Sequence, residues 1–142
     1  VLLAACSEDN MQFLSSKIEI AANPKLAEWI PRLAYNSVDD EFLVVWTEQG
    51  GRVQGGSSQY GIFAQRFSSS GAKIGASFSP AGPPVNNIIL LPTPEYNMFT
   101  NQYFMAYTMS GLGFDEYGAL FSNTGDIIKV NTRTAEYLER AN

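Results

Sequence analysis

The sequence predicts an all-β protein built from two four-stranded antiparallel meanders, with a short helix at its C-terminus. Three observations lead there. Aromatic residues are frequent for so polar a chain, with nine Phe, seven Tyr and two Trp; set among Gly, Ser, Asn and Thr, they suit pleated, half-buried strands. The apolar runs are short and bounded by turn formers, too short for helices. One half of the chain also repeats in the other. Residues 34–47, AYNSVDDEFLVVWT, align without gaps on residues 95–108, EYNMFTNQYFMAYT, and FSSSG at 67–71 matches FSNTG at 121–125. The offset is 61 residues for the first block and 54 for the second, so the first copy carries seven extra residues. They fall in the Gly-rich stretch 49–59, where added loop length costs little closure entropy.

Taken in order, Lys17 to Ile20 reads as a strand preceding the first copy, the last strand of a partial unit. Asn23-Pro24 followed by Lys25 to Trp29 reads as a single helical turn, with Asn as cap and Pro at the first helical position. Arg32 to Tyr35 forms a short strand, and residues 36–40 its polar turn. Phe42 to Trp46 is a continuous apolar run of strand length, which implies burial on both faces. Gly61 to Ser68 alternates, placing Ile62 and Ala64 on one face and Phe63, Gln65 and Phe67 on the other. Ser69 to Gly71 turns the chain into a strand over Lys73 to Phe78. Residues 79–87 form a Pro-rich linker whose prolines exclude it from a central strand. The second copy follows the same plan, and Thr134 to Arg140 reads as the terminal helix. The chain thus divides into an N-terminal segment (1–6), a tether with one strand and a short helical turn (7–30), repeat one (31–80), a linker (81–91) and repeat two with its helical tail (92–142).

Composition narrows the chemistry. There is no histidine, which removes the usual general base near neutral pH, the commonest zinc ligand and any Ser/His or Cys/His nucleophile pair. The single cysteine excludes an intrachain disulfide. A net charge of −5 with scattered basic residues offers no positive stripe for a nucleic acid. No cofactor motif is present and no apolar run is long enough for a membrane-spanning helix.

Few groups remain as candidates. Asp39, Asp40 and Glu41 are the densest acidic set, but a calcium loop needs more oxygen ligands at alternating positions, and the second copy has Thr100, Asn101 and Gln102 there; a solvated turn is the simpler reading. Asp115 and Glu116, flanked by Phe114 and Tyr117, could be a hydrolytic carboxylate pair. As neighbours on a strand, however, they point to opposite faces. Tyr60, Trp46 and Trp29 could stack on the apolar side of a sugar ring. Trp46 ends an apolar strand and reads as core, whereas Tyr60, expected in the Gly/Ser loop, is the better ligand contact. Tyr60, Trp46, Phe114 and Asp115 therefore make the candidate ligand set, without catalytic or metal-binding residues.

Two resemblances add an address and an architecture. Leu3-Ala4-Ala5-Cys6 resembles the lipobox of bacterial lipoprotein precursors, and Ser7-Glu8-Asp9 is similar to the acidic signal behind the lipidated Cys of surface-exposed lipoproteins in some Gram-negative bacteria. This implies removal of residues 1–5, acylation of Cys6, and an outer-membrane-anchored protein that meets the membrane only through its lipid. Residues 35–71 resemble secreted bacterial propeller-like repeats: AYN, an acidic or amide turn, an apolar strand ending in Trp, a YGIFAQRF strand and an SSSG turn. The second copy departs from that form, with Tyr107 for the Trp, and neither SSSG nor SNTG carries the Asp of a sialidase-type Asp-box. Two such units imply a fragment of a longer array, a propeller completed with other chains, or a face-to-face sandwich. The function expected is a non-catalytic, lipid-anchored surface protein that binds a glycan or protein partner or builds an envelope assembly. The alternatives are a fragment or subunit of a propeller glycan-processing enzyme and a self-assembling ring or filament subunit.

Overall fold

A computed structural model of the chain describes residues 18–21, 27–52, 58–82, 89–110 and 114–133. These hold eight strands: β1 (Ala27–Asn36), β2 (Glu41–Arg52), β3 (Ser58–Ser68), β4 (Lys73–Phe78), β5 (Ile89–Asn97), β6 (Gln102–Ser110), β7 (Phe114–Ser122) and β8 (Ile127–Arg133). They form two four-stranded antiparallel meanders, ordered β1-β2-β3-β4 and β5-β6-β7-β8. The lipobox and the helix expected over 134–140 lie outside the described residues.

Several expectations are corrected. Ala27 to Trp29 do not continue a helical turn: they pair with Gln49 to Thr47 as the start of β1. Strand pairing over-rides the local Asn-Pro helix signal because β1 runs on past Pro31. It can do so because β1 is an edge strand with a bulge between Trp29 and Arg32, where a missing N–H leaves no ladder gap. Ile18 to Ile20, expected as a strand, pair with no described strand. Likewise β1 starts within the expected tether, β5 within the expected linker, and Tyr60 sits inside β3 rather than in a loop.

The repeat extends to the backbone itself. Ile30 and Leu91, 61 residues apart, both adopt positive φ (54° and 57°), each just before a proline and inside a bulge of its edge strand. Asp40 and Asn101, at the same offset, close their turns at φ 55° and 51°. The β3–β4 and β7–β8 turns share a second device. Ser68 Oγ accepts from the Ala72 N–H at 3.1 Å and meets Ser70 Oγ at 2.8 Å; Ser122 Oγ accepts from the Asp126 N–H at 3.0 Å and meets Thr124 Oγ1 at 2.8 Å. Gly71 and Gly125 supply the left-handed residue, at φ 86° and 97°.

The two sheets pack face to face over one core. From the first sheet come Ala34, Leu43, Val45, Ile62 and Ala64; from the second come Tyr103, Met105, Tyr107, Ala119 and Phe121. Tyr103 stacks on Phe121 with centroids 5.5 Å apart, and Phe78 of β4 meets Phe121 edge-on at 5.9 Å, linking the sheets. Burial of Phe42 to Trp46 from both sides follows expectation: Leu43 and Val45 are fully buried toward the second sheet, and Val44 and Trp46 are buried on the opposite face. Gln65, on that outer face, donates from Nε2 to the carbonyls of Arg66, Ile74 and Gly75, filling the bulge between β3 and β4.

Candidate binding face

The outer face of the first sheet presents Phe42, Val44, Trp46, Phe63, Gln65 and Phe67, a consequence of period-two alternation in β2 and β3. Residues 18–21 lie across it and divide it into grooves. An apolar groove of about 270 Å³ runs between Ile18, Leu33, Phe42, Val44 and Phe67, and ends on the Ser68 to Gly71 turn. A second, of about 360 Å³, is bounded by Ile18 to Ala21, Glu28, Trp29, Pro31 and Trp46. A third, of about 230 Å³, is polar and adds Glu48, Gln65, Lys73 and Ser77. Trp46 contributes to the last two although only 5% of it is exposed, and its indole stacks on Phe63 at 6.3 Å. The indole N–H points to Glu48 Oε2, 3.5 Å away.

The ligand candidates separate. Trp46 is a core residue whose edge reaches the grooves, as its place in the apolar run suggested. Tyr60 is half-buried and meets Trp29, with centroids 6.2 Å apart and planes tilted by 45°. Trp29 is 39% exposed, so this pair is an accessible aromatic edge of the first sheet. Phe114 and Asp115 lie elsewhere, on β7 opposite Ser110 and Met109, and Glu116 faces Thr108. Phe114 occupies in the second repeat the position of Tyr60 in the first, 54 residues on. Ile18, Leu33 and Phe67 were missed as groove residues; alternation placed Phe67 on this face, but nothing local showed that part of the face stays open.

The acidic turn is structural in its contacts. Asp39 Oδ2 accepts from Asn36 Nδ2 at 3.0 Å in its own turn and, across the sheets, from Asn123 Nδ2 at 2.9 Å and Asn101 Nδ2 at 3.5 Å. These bonds, that from Asn123 foremost, hold its carboxyl below the ordinary range against the opposing effect of desolvation. Asp40 is lowered by hydrogen bonds from Ser69 and from the Tyr35 hydroxyl, the latter at 2.8 Å. Glu41 takes Arg66 through both Nε (2.9 Å) and Nη2 (2.7 Å). The three carboxylates thus serve three different partners, and among the described residues no three Asp, Glu, Cys or His side chains converge as a metal would require. Buried on the inner face, the Tyr103 hydroxyl has no hydrogen-bond partner among the described residues, and desolvation pushes it up to about 12.

No protein-family model, curated protein or solved structure matches the chain.

Proposed function

We propose that the chain is a non-catalytic β-repeat protein, tethered to a bacterial cell surface by a lipid on Cys6, that binds a glycan or protein partner through the outer face of its first repeat. The observation that carries this reading is the composition of that face: apolar and aromatic side chains line grooves beside Ile18 to Ala21, and Trp29 bounds the second of them. The acidic turn supports it from the other side, because Asp39, Asp40 and Glu41 are engaged with neighbouring side chains.

Mass spectrometry of the native protein tests the tether. A chain beginning at an acylated Cys6 is expected, and one retaining Val1 to Ala5 unmodified would overturn it. Thermal melting with soluble oligosaccharides and with outer-membrane protein extracts tests the binding face. Stabilisation by either, lost in Trp29→Ala or Leu33→Glu, is expected; glycan hydrolysis abolished by Asp115→Asn would favour an enzyme instead.

A further inference from the structure

The two repeats pack in the same sense. Repeat one uses the face bearing Leu43, Val45 and Ala34, whereas repeat two uses the face bearing Tyr103, Met105 and Tyr107. By the 61-residue offset, these last three correspond to Phe42, Val44 and Trp46, which repeat one turns outward. The junction is therefore heterologous, and each end of the pair shows the half the other end lacks.

Exposure at equivalent positions makes this concrete. On the inner face of repeat one, Leu43 and Val45 are fully buried and Ala34 nearly so; their counterparts Phe104, Ala106 and Glu95 are exposed, Phe104 by 45%. In repeat two Pro92 and Pro94 are buried against repeat one; their counterparts Pro31 and Leu33 are exposed, Leu33 by 58%. Even the buried Asn36 has an exposed counterpart, Asn97. The turns are compatible too: where Asp39 meets Asn101 and Asn123 inside the chain, the same contact at an outer junction would bring Thr100 to Asp40 and Ser69, with no like charges opposed.

A fragment of such a contact already exists. Phe78 of repeat one lies against Gly125 of repeat two, so close that a Cβ on that glycine would fall 2.9 Å from its ring. Ile18 lies against Gly71, the counterpart of Gly125, in the same way. Residues 18–21 thus hold the corner that the last strand of a preceding repeat would occupy.

We infer that copies of this chain associate head to tail, the outer face of repeat two of one copy docking on the outer face of repeat one of the next. The junction repeats the one inside the chain, and β8 of the incoming copy takes the place of residues 18–21, which in the single chain lie over Val44 and Trp46 and set Ile18 on Gly71. Closure of the series gives a ring, and its failure to close gives a filament. The inference rests on the outer face of repeat one being the binding face, and names a second copy as its partner.

The test is the solution mass of the full chain, carrying Cys6→Ser so that neither lipid nor disulfide joins copies. The expected mass is at least twice the 15.6 kDa of one chain. Leu33→Glu and Phe104→Glu, each at an exposed position, should each give a monomer, and mixing the two should restore a one-to-one dimer, because each variant keeps one intact face. A monomeric parent chain, an oligomer that survives both substitutions, or variants that fail to complement would overturn the inference. Tyr35→Glu and Ala106→Glu supply a second pair should circular dichroism show either first variant unfolded. Oligosaccharide stabilisation of a chain that stays monomeric would sink head-to-tail pairing and leave the binding reading standing.

Discussion

Asp39 is the residue on which three turns converge. Its carboxylate accepts from Asn36 in its own turn and from Asn101 and Asn123 in the two turns of the other sheet. Because those bonds favour the charged form, its folded-state pKa lies below the ordinary 3.8, and the stability it adds is fully present above that unfolded value. It is lost as the pH falls through the lowered value. Asp39→Ala should therefore melt below the parent chain at neutral pH, and the two melting curves should converge in acid; thermal melts across that range check it, and a pH-independent gap would assign the effect to packing instead.

At the scale of elements, matched turns and bulges define each repeat. Gly71 and Gly125 close the β3–β4 and β7–β8 turns with positive φ. An L-residue there costs about 1–2 kcal/mol in backbone conformation alone. At Gly125 the added methyl would also strike the Phe78 ring, and so disturb the junction between sheets, whereas Gly75, at φ 66°, has nothing within 4 Å. Gly125→Ala is therefore expected to lower the urea midpoint more than Gly75→Ala, at unchanged m-value. Equal losses would show that Phe78 moves aside freely. The bulges at Ile30 and Leu91 matter as much, since each lets an edge strand carry a proline and still pair along its length.

For the whole molecule, the shared core makes two repeats one cooperative unit. Both tryptophans are in the first sheet, while Met105, fully buried, belongs to the second and packs in the common cluster. Met105→Ala removes buried volume at a typical cost of about 2–5 kcal/mol. The tryptophan fluorescence midpoint should fall together with that of far-UV circular dichroism. An unmoved fluorescence transition would mean that the first sheet stands without the second. Same-sense packing has a further consequence at this scale: it covers one face of each repeat inside the chain and leaves two unlike faces outside, on which the proposed head-to-tail assembly rests.

The sequence by itself determined the fold class, the two copies with their unequal offsets, the two-sided burial of Phe42 to Trp46 and the alternation of β3, because side-chain periodicity records the faces each strand must bury. It also carried the matching Ile30-Pro31 and Leu91-Pro92 pairs, whose likeness extends the repeat upstream although Asn23-Pro24 suggested a helical turn. Only the tertiary structure decided that β1 begins at Ala27, that Asp39 clasps turns of the other sheet, that Tyr60 meets Trp29, and which face of each repeat is covered. Those outcomes depend on partners distant in sequence: a proline is admissible in a strand only when that strand lies at an edge, and a face is a core or a surface only once another sheet has, or has not, come to lie on it.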